Sequence, residues 1–166
     1  MKLLITQGTT PFAQRIAKRF GDERRIRYYF VSSDPIPDVL IRSGSYKEIP
    51  AANEATFVHE LLKLALDRQV THLLPLGMDE VLLLTDAKQL FIEYDIQILV
   101  PDRAALAGLE VMENPPRQLE LVLLEKGLRI TQNGQREEPP IDEALSGVFC
   151  ISDEDIPYLC LINSNS

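Results

Sequence analysis

The chain contains no tryptophan, two cysteines and two histidines in 166 residues. That scarcity narrows the chemistry. His59 and His72 lie far apart, and Cys150 and Cys160 form no Cys-x-x-Cys, so no spacing suits a metal ion. No apolar run approaches the ~18 residues that span a bilayer, which predicts no membrane embedding. Basic residues are outnumbered, with 17 Lys and Arg against 25 Asp and Glu; the net charge of −8 argues against nucleic acid and anionic lipid as partners. The first apolar run is too short for a signal peptide and is followed by a basic helix, so a cytoplasmic protein is expected. There, Cys150 and Cys160 read as buried thiols, with a disulfide between neighbouring strands as the weaker alternative. Repeats and low-complexity tracts are missing. So is a complete catalytic constellation.

What remains is ordinary for a globular domain: 45% hydrophobic and 25% charged residues, in a length that can bury one core. The chain is organised around its first twenty residues. Lys2-Leu3-Leu4-Ile5-Thr6 reads as a buried strand, Gln7-Gly8-Thr9-Thr10 as a small polar turn, and Pro11 as the first turn of a helix. Phe12, Ile16, Ala17 and Phe20 recur at helical spacing, and Gly21 closes the helix. Further strands are predicted over 25–33, 46–50, 71–77 and 96–100. A helix capped by Asn53 is predicted over 54–69, and another over 80–94.

Beyond residue 100, the pattern predicts a helix over 103–112, a second from Asn114 to Lys126 ended by Gly127, and a short strand over 128–131. Residues 132–146, with Asn133-Gly134, Pro139-Pro140 and four acids, read as an exposed loop. Two short apolar runs over 147–151 and 158–162 predict a hairpin. Asp153, Glu154 and Asp155 between them read as a solvated turn rather than a cation site.

This order predicts an α/β fold. It is a Rossmann-like, doubly wound parallel sheet of about five strands with helices on both faces, plus a short C-terminal β-hairpin. The expected organisation is one Rossmann-like unit over 1–131, an acidic loop over 132–146, and a hairpin extension over 147–166 packed on the same domain.

In such sheets ligands bind beyond the carboxyl ends of the strands. The candidate lining is therefore Gln7, Gly8, Thr9 and Thr10 from the first turn, Ser33 and Asp34 from the second, and Gly77, Asp79 and Glu80 from the fourth. Backbone N–H groups of Gly8 to Thr10 suit a carboxylate or phosphate, and Asp79 and Glu80 suit an amine. The plainer alternatives are a helix cap for Asp79 and a dipole partner for Glu80. Asp34 can meet a ribose hydroxyl or simply start a turn, and the turn is the stronger reading.

Two resemblances bear on function. Thr6-Gln7-Gly8-Thr9-Thr10-Pro11-Phe12-Ala13 resembles the phosphate loop of extended short-chain dehydrogenases, T-G-x-T-G-x-x-G, but the three glycines fall on Gln7, Thr10 and Ala13. The tyrosine and lysine pair of those enzymes is missing, since Tyr46 and Lys47 are adjacent. From Met1 to about Thr131 the chain is similar to the domain preceding the ATP-binding part of ATP-grasp enzymes of the carbamoyl phosphate synthase large-chain type. The similarity rests on the opening strand, turn and helix; on Ser33-Asp34-Pro35; and on Val70-Thr71-His72-Leu73-Leu74-Pro75 followed by Asp79-Glu80. It continues through Ile98-Leu99-Val100-Pro101-Asp102 and Leu124-Glu125-Lys126-Gly127. Met112-Glu113-Asn114-Pro115-Pro116 replaces the family's Asn-Asp-Lys-like segment, and the ATP-grasp part itself is not in these residues.

The resemblance implies a stand-alone pre-ATP-grasp-like binding or interaction module rather than an enzyme. Its ligand is expected to be small and anionic or amino-acid-like. A separately encoded ATP-grasp protein and a homodimer are the expected partners. The alternative is a degenerate NAD(P)-binding protein of the short-chain dehydrogenase type. No catalytic residue, cofactor or metal is assigned.

Overall fold

The computed structural model describes residues 1–21 and 24–162. β1 (Lys2–Ile5) is the middle strand of a five-stranded sheet. Its Leu3, Leu4 and Ile5 are fully buried, each burial contributing on the order of 1.5–3 kcal/mol. α1 (Pro11–Arg19) follows, with proline in its first turn and the Thr10 hydroxyl accepting from the Ala13 amide. Lys18 and Arg19 in its last turn complement the helix dipole. Phe20 is the C-cap residue, one position before the expected Gly21.

β2 (Arg27–Ser32), α2 (Asp38–Arg42), β3 (Tyr46–Glu48) and α3 (Phe57–Asp67) come next, then β4 (His72–Leu74), α4 (Met78–Ile92) and β5 (Gln97–Ile98). The strand order is β3-β2-β1-β4-β5 and every pair is parallel. The expected doubly wound sheet is therefore present. Leu3 and Ile5 face α1 through Phe12, Ala13 and Ile16. Leu4 faces the opposite layer, with Phe57 and Leu61 of α3 and Val81 and Leu84 of α4. This two-sided burial is what a continuous apolar strand requires.

α3 begins at Phe57, not at 54. Thr56 precedes it and makes no side-chain cap, so Asn53 does not cap the helix. Residues 51–57 instead form turns, with the Glu54 amide on the Ala51 carbonyl and the Phe57 amide on the Glu54 carbonyl.

The larger differences lie beyond residue 100. The helix expected over 103–112 is one turn, α5 (Arg103–Leu106), followed by a strand, β6 (Glu110–Glu113). The helix expected from Asn114 to Lys126 is absent. Its leucines instead form β7 (Val122–Glu125), with Leu123 in the α1-side core and Leu124 in the α3 and α4 core. A short unbroken apolar run fits either a buried helix or a buried strand, and here burial on both faces selects the strand. β7 turns through Lys126 and Gly127, both at positive φ (49° and 77°), into β8 (Leu128–Ile130). That two-residue turn has the primed geometry that suits a hairpin.

β9 (Arg136–Glu137) lies within the expected loop, and β10 (Gly147–Ile151) and β11 (Pro157–Leu161) form the expected hairpin. The hairpin occupies the middle of a second sheet, ordered β6-β11-β10-β7-β8-β9. Among the described residues, the β6 and β11 pair in it is parallel and the others are antiparallel. The two sheets share both cores, and a parallel bridge joins Gly77 to Ile162. Cys150 and Cys160 are free and buried, with sulfurs 3.3 Å apart. Among the described residues, no helix is long and apolar enough to cross a membrane.

Candidate functional site

A cleft of about 240 Å³ opens at the carboxyl ends of the parallel strands. Gln7, Ser33, Asp34, Gly77, Asp79 and Glu80 all line it. These are six of the nine residues expected from sequence to share a site. The remaining wall comes from the connection between β3 and α3, residues 49–53, and from Phe57. Sequence reasoning missed that wall because it took Asn53 for a helix cap. The signal was there: Pro50-Ala51-Ala52 follows the third strand's carboxyl end, where the same binding rule applies.

The centre of the cleft is Glu80, only 4% exposed. Its position follows from the fold. β1 and β4 are neighbours, so the turn after β1 meets the helix that follows β4. Thr6 ties the two ends together: its amide donates to the Leu74 carbonyl (3.1 Å) and its hydroxyl accepts from the Leu76 amide (2.9 Å). Gln7 then takes a left-handed backbone, with φ of 52°, unusual for a residue with a side chain. Its Nε2 donates to Glu80 Oε1 at 2.6 Å.

Glu80 is the third residue of α4 and reaches back to the backbone of the N-cap residue Gly77, which is half of a capping box. Gly77 makes room for it, because a Cβ there would lie 2.7 Å from Glu80 Oε1. Burial pushes the Glu80 carboxyl above its ordinary range. Hydrogen bonds from Gln7, Thr6 and Gly77 oppose the shift, while the charge of Asp79 adds to it.

Gly8, Thr9 and Thr10 do not line the cleft. The Gly8 amide donates to the Val31 carbonyl (2.8 Å), and a Cβ at Gly8 would lie 2.5 Å from Phe30 Cβ. Its missing side chain therefore serves the close approach of the turn to β2. The Thr10 amide donates to the Gln7 carbonyl (3.0 Å), and the Thr10 hydroxyl also bonds that carbonyl. Two of the three amides expected to cradle an anion are thus engaged within the protein. Ser33 and Asp34 are exposed, with the Asp34 amide turned onto the Ser32 hydroxyl (3.1 Å). That turn is started by Ser32, with Asp34 as its third residue.

A second polar cluster, partly buried, lies at the other end of the parallel sheet, where His72 begins β4. His72 Nε2 is 2.7 Å from Glu125 Oε1, and Arg136 Nε donates to Glu125 Oε2 at 2.6 Å. Burial alone would raise the Glu125 carboxyl, but hydrogen bonds and charge from His72 and Arg136 outweigh it and hold it at about 2. Thr71 Oγ1 lies 2.8 Å from His72 Nδ1, giving a hydroxyl, imidazole and carboxylate in a row. The hydroxyl is already committed, accepting from the Lys2 amide (3.0 Å) and donating to the Lys2 carbonyl (3.1 Å). The cluster is cement between the sheets. Among the described residues, no group of acidic, histidine or cysteine side chains is arranged to hold a metal ion.

No protein-family model matches the sequence, and no curated protein matches it.

Proposed function

We propose that the chain is a pre-ATP-grasp-like binding module whose cleft takes a small amine-bearing, amino-acid-like ligand. The carrying observation is Glu80, a buried carboxyl lining the cleft whose side-chain partners are the neutral groups of Gln7 and Thr6. Asp34 and Asp79 add negative charge at the same cleft, and among the described residues its lining holds no lysine, arginine or histidine. An ammonium group supplies what this carboxyl lacks, a cation within hydrogen-bond reach. The acidic lining and the engaged amides of Gly8 and Thr10 favour the amine over an anion. A volume of about 240 Å³ suits a ligand of amino-acid size rather than a dinucleotide. The ATP-grasp resemblance adds a separately encoded ATP-grasp protein as the partner class.

Isothermal titration of ethylamine, L-alanine and acetate tests this reading. Ethylamine and L-alanine are expected to bind and acetate to give no heat. Glu80→Gln is expected to weaken the amines by roughly ten-fold or more. Affinity is expected to fall as pH falls through the raised Glu80 range, because the proton then competes with the ammonium group. Preference for acetate, or amine binding that Glu80→Gln leaves intact, overturns the proposal.

A further inference from the structure

A single ammonium group on Glu80 leaves part of the cleft lining without a counterpart. The cleft crosses the carboxyl ends of four neighbouring strands, in the order β3, β2, β1 and β4. Glu80 stands at the β4 end, bonded to Gln7 of the turn after β1. Asp34 follows β2, on the far side of β1. Two inter-strand spacings put the ends of β2 and β4 about 10 Å apart.

The two carboxylates differ in setting. Glu80 is buried, whereas Asp34 is exposed. The contact of Asp34 to Ser32 is made by its amide, and among the described residues its carboxylate forms no ion pair. Asp79, the third acid, lies in the first turn of α4, where the helix dipole offsets its charge. The connection after β3 adds Ile49, Ala51 and Ala52 to the lining, and α3 adds Phe57. Those side chains carry no polar atom and suit a chain of methylene groups.

We propose that the ligand of the cleft carries two ammonium groups on a short aliphatic chain, one for Glu80 and one for Asp34. This rests on the amine reading above and narrows it to a dication. Five single bonds set the nitrogens of a four-carbon diamine about 6 Å apart. A charge-assisted hydrogen bond adds about 2.8 Å at each end. The sum covers the separation of the two strand ends. A carboxylate in place of the second ammonium would meet Asp34 with like charge.

Putrescine, butylamine and γ-aminobutyrate share an amine-bearing four-carbon chain and differ at its far end. Each is titrated calorimetrically into the full chain. Putrescine is expected to bind saturably and roughly ten-fold tighter than butylamine, with γ-aminobutyrate weaker than both. Asp34→Asn, at an exposed position, is expected to bring putrescine within about two-fold of butylamine at unchanged melting temperature. Glu80→Gln is expected to weaken both. L-Ornithine carries two ammonium groups and a carboxylate, and it too is expected to exceed butylamine. Ornithine tighter than putrescine assigns the site to a diamino acid, and the reverse order to a free diamine. Putrescine no tighter than butylamine, or an advantage that survives Asp34→Asn, overturns the proposal; butylamine binding that still depends on Glu80 would then leave the single-amine reading in place. Displacement of putrescine by an equal concentration of magnesium ion would show a response to charge alone and overturns it as well. No saturable binding of any amine overturns both readings.

Discussion

Glu80 and Glu125 are both carboxylates withdrawn from water, at opposite ends of the same parallel sheet, and their environments treat them in opposite ways. Glu125 sits between His72 and Arg136 and is held at about 2. Glu80 sits among an amide, a hydroxyl and a helix N-terminus and is raised. Burial acts in the same direction on both, so the difference is the cation. A paired buried charge joins elements, whereas one left to neutral partners retains an unmet demand that a ligand can satisfy. On this ground the cleft at Glu80 is the candidate site and the cluster at Glu125 is structural.

The largest expected effect tests what brings Gln7 to Glu80. Gly8→Val would place a Cβ 2.5 Å from Phe30 Cβ and 3.1 Å from β2 backbone atoms. Backbone cannot yield as a side chain does, so a loss of about 3 kcal/mol is expected in urea unfolding. Asp34→Ala, at an exposed position, should stay within about 0.5 kcal/mol. Comparable losses for the two would mean that the turn does not depend on its contact with β2.

Next comes Glu125→Gln. It leaves Arg136 and His72 without their anion, and about 2–3 kcal/mol should be lost at pH 7. This is less than the ~3–5 kcal/mol of a fully buried pair, because 32% of the Arg136 side chain stays exposed. The sign with pH follows from the depressed carboxyl. Its stabilisation is present at neutral pH and disappears as pH falls from 4.5 to about 2. Acid titration of wild type and variant, followed by circular dichroism, should therefore converge at the bottom of that window. A gap that persists there would show that the substitution costs something other than charge.

Glu80→Gln should act with the opposite sign. In the folded state the wild-type carboxyl holds its proton above 4.5, so its stability contribution is lost as pH rises past that value toward the raised native one. The amide side chain keeps an acceptor for Gln7 and has no charge to desolvate. The variant should melt higher than wild type at pH 8 and together with it at pH 4. Each ~1 kcal/mol corresponds to about 2–4 °C in a chain of this size. A variant that melts lower at pH 8 would mean the carboxylate is better satisfied than its burial implies.

The two regions also differed in how far the sequence revealed them. Around Glu80, the turn from Thr6 to Thr10, the parallel strands and most of the lining follow from short-range pattern, since β1, its turn and α1 are adjacent in the chain. Around Glu125, the pairing is non-local. Glu125 ends a strand in residues whose pattern predicts a helix, and its partners come from residues 53 positions before it and 11 after it. Leu121 to Leu124 carry no period that separates strand from helix until both faces are known to be covered. Even at Glu80, sequence supplied the residue but not its state. Burial, and Gln7 as partner, depend on β1 lying beside β4.

The smallest effect isolates geometry from charge at that same carboxyl. Gly77 has φ −103° and ψ 145°, an extended backbone open to alanine, so Gly77→Ala introduces no backbone strain. Its Cβ would crowd Glu80 Oε1 at 2.7 Å and approach Gln7 Nε2 at 3.5 Å. Both are ends of flexible side chains and can move. The displaced carboxylate loses its return contact to the helix N-terminus, which should cost about 0.5–1 kcal/mol. Ethylamine affinity should shift while the acid transition governed by Glu125 stays in place, because Gly77 touches nothing in that cluster. Amide and side-chain NMR shifts would register the movement at Gln7 and Glu80 and leave His72 unperturbed. Movement at both ends would mean that the two carboxylates are coupled through β4, and the contrast between a ligand site and a structural joint would no longer hold.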